Sequence, residues 1–154
     1  MRWLKMMGLL AAFCLLGGCA GEETSQTQIA NPWQNYETLQ TAEKAAGFAL
    51  GIEETIDGWQ AAEYRVMNAS LLEVIYQKDG RTVCLRKAKG SEDISGDYNT
   101  YDNVTVVEYP DASVTQRDDK GMLVFADPYC WSVYCDDGFE EGQAEGFLTA
   151  ILKA

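Results

Sequence analysis

Residues 71–87 read Leu71-Leu72-Glu73-Val74-Ile75-Tyr76-Gln77-Lys78-Asp79-Gly80-Arg81-Thr82-Val83-Cys84-Leu85-Arg86-Lys87, and this stretch decides the fold. Leu72, Val74 and Tyr76 share one face of a strand, and Val83 and Leu85 repeat the period of two. Asp79-Gly80 lies between the two runs and suits the positive φ angles of a two-residue hairpin turn. Such a turn sets Tyr76 opposite Val83, Val74 opposite Leu85 and Glu73 opposite Arg86. A slip of one residue would put Glu73 among apolar groups, so the hydrophobic pattern specifies the register. The Glu73–Arg86 pair is expected on an outer face, where it contributes roughly 0.2–1 kcal/mol.

The same alternation extends in both directions. In 61–67, Ala62, Tyr64 and Val66 alternate with Glu63 and Arg65. Further strands are expected at 103–109, 112–117, 121–126 and 129–135, with Asp118-Asp119-Lys120-Gly121 as a turn between two of them. In the last strand Tyr129, Trp131 and Val133 face inward together. A short helix is expected over 38–47, with Thr38 as N-cap, Leu39, Ala42 and Ala46 on one face, and Gly47 as a left-handed stop beside Phe48. The chain closes with a helical stripe of Ala144, Phe147, Leu148, Ile151 and Leu152. Gly142 and Gly146 weaken that helix by about 1 kcal/mol each relative to alanine, so packing must hold it. The expected fold is α+β: an antiparallel sheet of six or seven strands, with a short N-terminal helix and a C-terminal helix packed on it.

Before this domain the sequence has another character. Arg2 and Lys5 precede the uncharged apolar run 6–16, and Leu16-Gly17-Gly18-Cys19 closes it. That order is a signal peptide, too short to span a bilayer at the ~20 residues required. The closing tetrad resembles the lipobox of bacterial lipoproteins. The resemblance implies cleavage before Cys19, whose sulfur then carries diacylglycerol and acyl chains such as palmitate. Residues 20–30 are rich in Glu, Thr, Ser and Gln without apolar period, and read as a flexible tether. The organisation is therefore a signal peptide at 1–18, a tether at 19–30 and one extracytoplasmic domain at 31–154.

Charge narrows the partners. The chain carries 12 basic and 24 acidic residues, a net charge of −12, and loss of Arg2 and Lys5 with the signal moves it to −14. This balance repels nucleic acid and anionic lipid alike, so membrane attachment falls to the acyl chains, and a ligand or envelope partner is expected to be cationic if charge selects it. Once Cys14 leaves and Cys19 is acylated, Cys84, Cys130 and Cys135 remain. Cys130 and Cys135 point to opposite faces of one strand, which argues against their pairing. A bridge from Cys84 to either, or buried free thiols throughout, both remain open.

The densest polar cluster is 93–102, Asp93-Ile94-Ser95-Gly96-Asp97-Tyr98-Asn99-Thr100-Tyr101-Asp102. Asp93, Ser95, Asp97 and Asn99 alternate like the first ligands of a calcium loop, but Tyr98 stands where such a loop needs glycine and Val104 where it needs the closing glutamate. The alternative is a connection held by Asx turns. Tyr98 and Tyr101, with Trp33 or Trp59, compose an aromatic platform for a sugar or a cation, or else cap the core. Asp93, Ser95, Asp97, Tyr98, Asn99 and Tyr101 are the candidate binding residues. Paired acids occur at Asp118-Asp119, Asp136-Asp137 and Glu140-Glu141, the last expected in the first turn of the C-terminal helix. The chain has no histidine, which removes the commonest general base and every Ser-His or Cys-His arrangement. No CxxC pair, phosphate loop or cofactor motif occurs, so no catalytic residue, cofactor or metal is expected.

Asn31-Pro32-Trp33, then Glu43-Lys44-Ala45-Ala46-Gly47-Phe48, then 93–99, then the strand carrying Trp131 before a final helix resemble an uncharacterised domain-of-unknown-function family. That family occurs in lipoproteins of Gram-positive bacteria and in the extracytoplasmic part of anti-sigma-factor-like membrane proteins. The resemblance implies a small sensing or binding module outside the membrane. This chain departs from it by lacking a proline near Glu53 and by placing Cys130 and Cys135 around Trp131, and a direct anti-sigma role is not expected. The function expected is a membrane-anchored, non-enzymatic binding or sensing lipoprotein. The alternatives are a calcium-stabilised structural envelope protein and a polysaccharide hydrolase that uses two carboxylates.

Overall fold

The structure is a computed structural model and describes residues 31–154. Signal peptide, tether and Cys19 lie outside the described residues. The first elements are β1 (Trp33–Tyr36), α1 (Leu39–Ala46), β2 (Thr55–Ile56) and β3 (Trp59–Met67). Then come β4 (Leu71–Lys78), β5 (Arg81–Lys89), β6 (Val104–Tyr109), β7 (Ala112–Arg117), β8 (Gly121–Ala126), β9 (Tyr129–Cys135) and α2 (Gln143–Leu152). All strands join one antiparallel sheet in the order β1-β3-β4-β5-β9-β8-β7-β6, with β2 also paired to β3. The α+β class is as expected, but the sheet has nine strands rather than six or seven. The additional two are β1 and β2. Both are too short to show a period, and they gain strand geometry by pairing with β3.

The 71–87 hairpin has the expected register: Tyr76 faces Val83, Val74 faces Leu85 and Glu73 faces Arg86. Asp79 and Gly80 take φ values of 49° and 77°, the left-handed pair that a type I′ turn needs. Helix α1 also begins and ends as its caps dictate. Thr38 Oγ1 accepts from Thr41 N at 3.3 Å, and Gly47 at φ 80° donates its N–H to Glu43 O at 2.8 Å.

A single core lies between the sheet and both helices. It gathers Ala42 and Ala46 of α1, Phe147, Leu148 and Ile151 of α2, and Val66, Leu72, Val74, Val83, Leu85 and Val133 of the sheet. Phe147 is its centre, with the Tyr76 ring at 5.3 Å, Phe139 at 6.1 Å and Trp59 at 6.2 Å. Within β3 the register shifts between Ala61 and Glu63, and this bulge changes which residues face the core. Trp59 and Ala61 pack inward before it, Tyr64 and Val66 after it, and Ala62 is exposed rather than aligned with Tyr64 and Val66. Two other expectations are corrected nearby. Glu140 and Glu141 precede α2, whose N-cap is Gly142 at φ 80°, so Glu145 is the acid of the first turn. Leu152 of the expected stripe is partly exposed at the end of the helix.

Gly121 is required by a close approach of backbone. A Cβ there would stand 2.7 Å from the Val133 carbonyl oxygen of the neighbouring strand β9. Gly121→Ala is therefore expected to destabilise the domain by about 2 kcal/mol, because β8 must move away from β9 to accommodate the methyl group. Urea unfolding measures this directly, and an unchanged midpoint would contradict the packing described.

The connection from β5 to β6 organises the second face. The two strands lie at the ends of a β5-β9-β8-β7-β6 path, so residues 90–103 must cross three intervening strands, about 19 Å at ~4.8 Å per strand. They do so as a strap over the face opposite the helices. Arg86 Nη1 donates to the carbonyls of Ile94 (3.2 Å) and Ser95. Arg117 Nη2 reaches Asp93 Oδ2 at 2.6 Å. Glu73, Leu123, Cys130 and Ser132 are buried on this face. The Glu73–Arg86 pair is thus not on an open outer face. Glu73 Oε2 accepts from Arg86 Nε at 2.8 Å and from Cys84 Sγ at 3.1 Å, while Oε1 accepts from Arg65 Nη1 at 3.3 Å. Burial, reinforced by the Glu73 charge, pushes the Cys84 thiol up to about 12, so it stays protonated and donates.

Candidate functional site

The strap carries the residues that the sequence singled out: Ser95, Asp97 and Tyr101 are half-buried, whereas Asp93, Tyr98 and Asn99 are exposed. Asp93 Oδ1 accepts from Ser95 N at 2.8 Å and from Ser95 Oγ at 2.6 Å. Asp97 Oδ1 accepts from Asn99 N at 2.9 Å and from Asn99 Nδ2 at 2.7 Å. These are successive Asx turns, each closing a two-residue step of the chain. The second oxygen of Asp97 accepts from Tyr101 Oη. Arg117 lies beside both acids, 2.6 Å from Asp93 Oδ2 and 4.0 Å from Asp97 Oδ2, with the Tyr101 ring 5.7 Å from its guanidinium carbon. Burial opposes ionisation of Asp93, but hydrogen bonds from Ser95 and Arg117 outweigh it and hold the carboxyl below the usual range. The Arg117 guanidinium thus lies against oxygens of all three residues, Asp93 at 2.6 Å, Ser95 Oγ at 3.2 Å and Asp97 at 4.0 Å. Among the described residues no group of three Asp, Glu or Cys side chains converges as metal ligands.

The aromatic residues do not assemble as one platform. Trp59 is fully buried in the core and Tyr101 packs under Arg117. Trp33 is half-buried, with the Arg86 guanidinium carbon 5.3 Å from its ring centre. Tyr98 alone projects outward, 97% exposed. Gly96 permits the strap to sit this low: its φ is 63°, and a Cβ would fall 2.6 Å from Arg86 Nη1.

A cleft of about 710 Å³ opens at the root of the strap. Phe48 after α1, Met67 and Leu71 at the β3–β4 turn, and Ile94 of the strap supply its apolar walls; Lys89 and Glu92 supply charge. The position of Phe48 is set by a residue that sequence reading missed. Lys87 shares its strand face with Val83 and Leu85, and so points into the core rather than outward. Its Nζ donates to the carbonyls of Ala49 (2.8 Å) and Leu50 (2.9 Å), with the Tyr129 and Trp131 ring centres each 4.2 Å away. Glu43 Oε1 completes the clamp by accepting from Leu50 N at 2.6 Å. Burial lowers Lys87 to about 8, partly opposed by the charge of Glu43. The parity of β5 was the available signal: Val83, Leu85 and Lys87 alternate in step.

The paired acids separate by environment. Asp118, Asp119, Glu140 and Glu141 border a cleft of about 330 Å³, whereas Asp136 and Asp137 form the turn after β9. Glu140 is engaged by Arg81 at 3.0 Å. Hydrogen bonds from Asn103 and from Asp102 N hold Asp118 below the usual carboxylate range, opposite to the direction a general acid needs. Cys84, Cys130 and Cys135 are unpaired thiols, the latter two fully buried.

No family model, curated protein or solved structure matches the chain. The lipobox and domain-family resemblances therefore stand on the residues quoted for them.

Proposed function

We propose that this chain is a lipoprotein held on the extracytoplasmic face of the cell membrane through Cys19, with residues 31–154 as a non-enzymatic ligand- or partner-binding module. The observation that carries this reading is the order of Arg2 and Lys5, the apolar run 6–16 and Leu16-Gly17-Gly18-Cys19. Dual acylation supplies the anchoring that an acidic surface cannot, since each buried CH₂ contributes roughly 0.8 kcal/mol. The absence of histidine supports a binding role over a catalytic one. The cleft at the root of the strap, with apolar walls and the charges of Lys89 and Glu92, supports the same role, and Tyr98 offers a contact at the outer surface of the strap.

Growth of cells on a clickable palmitate analogue tests the anchor. The wild-type chain is expected to take the label and partition with membranes, and Cys19→Ser is expected to lose both. An unlabelled wild-type chain with an intact N-terminus would overturn the address. Photocrosslinking from positions 68 and 98 tests the module, since Asn68 borders the cleft and Tyr98 caps the strap. Failure at both positions in membrane-bound chain would remove the binding role from this end of the sheet.

A further inference from the structure

Strand β6 ends the sheet, paired with β7 on one side and with no strand of the described residues on the other. All six of its residues are exposed. Val104 is 56% and Val106 57% exposed, and Val107 and Tyr109 are close to 40%. Exposed edges in soluble proteins are ordinarily blunted by lysine, proline, a bulge or a covering loop. This one reads Val104-Thr105-Val106-Val107-Glu108-Tyr109, pairs with β7 at every position without a bulge, and carries no cation.

Its free hydrogen-bonding groups follow from the ladder. Asp118 N donates to Asn103 O at 2.8 Å, so Asn103 lies at a hydrogen-bonded position opposite β7. Antiparallel alternation then turns Thr105, Val107 and Tyr109 toward β7, and leaves the N–H and C=O of Val104, Val106 and Glu108 directed away from the sheet. Both faces of the edge are apolar. Val104 and Val106 lie on the strap side, Val107 and Tyr109 on the helix side. Beside Tyr109 is a recess of about 270 Å³ lined by Pro110, Ala126, Ile151 and the partly exposed Leu152.

Charge at the edge has one sign. Asp102 precedes the strand, Glu108 lies within it and Asp111 follows in the turn to β7. None of the three is paired with a Lys or Arg among the described residues; Glu108 accepts only from Ser113 Oγ, at 3.1 Å. A second copy fits poorly. Paired antiparallel about Val106, it would set Glu108 against Val104 and bring Asp102 next to Asp111 of the second copy, twice over, between chains that are each strongly acidic.

We propose that β6 is a docking edge for an extended segment of a partner protein, β-branched in the middle and flanked by Lys or Arg, which adds to the sheet as a further antiparallel strand. Its backbone pairs with Val104, Val106 and Glu108. Its cations meet Glu108 and the acids at either end, and one apolar side chain enters the recess beside Leu152. The proposal is independent of acylation at Cys19 and of the cleft at the root of the strap.

The probe is a short fluorescent peptide with lysine at both ends and alternating valine and threonine between them, titrated against the full chain by anisotropy. The lysine-ended peptide is expected to bind at least about tenfold more tightly than the same peptide ended in glutamate. Val106→Pro removes one outward N–H without removing a bond to β7, and is expected to abolish binding while the thermal midpoint is retained. Should that variant unfold, Asp102→Lys/Asp111→Lys serves instead and is expected to reverse the preference between the two peptides. Equal affinity for both peptides, or binding of neither, overturns the proposal. So does a dimer in sedimentation that Val106→Pro converts to monomer, since β6 would then be a self-pairing edge.

Discussion

Glu73→Ala is expected to lower the stability of the domain by about 3 kcal/mol, because it leaves the largely buried Arg86 guanidinium without a carboxylate partner, while Arg65 retains its pair with Glu63. Glu73 is 2% exposed and lies between Arg65 and Arg86, with the protonated Cys84 thiol as a third donor. The effect should not stay local. Arg86 is held by Glu73 through Nε and itself holds the strap through the carbonyls of Ile94 and Ser95. Loss of the carboxylate therefore frees the guanidinium that pins the strap. Urea unfolding gives the stability change, and amide exchange at 93–97 is expected to quicken beyond what global unfolding accounts for. A change below 1 kcal/mol, with exchange unaltered, would mean that solvent reaches the cluster and screens it.

Lys87 gives the second large effect. Lys87→Ala is expected to cost about 3 kcal/mol, since the carbonyls of Ala49 and Leu50 lose their donor at roughly 1–3 kcal/mol per buried unsatisfied group, and the stem leaves a void. Lys87→Met keeps the volume and separates packing from charge. The pH dependence has a definite sign. Burial lowers Lys87 to about 8 in the folded protein, against 10.5 for an unperturbed lysine. Between those values the unfolded chain holds a proton that the folded chain has released, so stability rises with pH. The amine keeps two N–H groups for its two carbonyl acceptors after that loss. Burial raises Tyr64 to about 12, with the Glu54 hydrogen bond adding to it, and this works in the opposite direction once unfolded tyrosines ionise near 10.0. The expected signature is a thermal midpoint that rises from about pH 8 to pH 10 in the wild type relative to Lys87→Met. A constant difference across that window would place the ammonium in contact with water.

Lys87 also connects core to candidate site. It fixes the segment that carries Phe48, one wall of the cleft at the root of the strap. A ligand seated against Phe48 would therefore depend on a clamp made of the buried Lys87 and Trp131 with the half-buried Glu43 and Tyr129. Binding losses on Lys87 substitution should accordingly accompany a loss of order at 47–52 rather than precede it.

The residues legible in sequence were those whose geometry is decided by near neighbours. Asp79-Gly80 fixes a tight turn by backbone sterics alone, and the apolar alternation on both sides then admits only one register. Thr38 and Gly47 bound α1 for equally local reasons, a side-chain acceptor at one end and a free left-handed residue at the other. The 93–102 segment was recognised as a polar connection, and its Asx turns follow from Asp93, Ser95, Asp97 and Asn99 at alternate positions. Tertiary structure alone decided what lies over each face. Alternation assigned Glu73 and Arg86 to the side away from the core, but there Glu73 is buried between Arg65 and Arg86, and Arg86 is half-buried against the strap that β6, at the far edge of the sheet, draws over this face. Lys87 was assigned to neither solvent nor core, and only the carbonyls and rings around it make a buried ammonium tolerable. Strands β1 and β2 exist because β3 offers them partners, and the nine-strand count follows. A period of two records which side a residue takes; it carries no information about which distant segment will cover that side, because that depends on contacts between residues far apart in the chain.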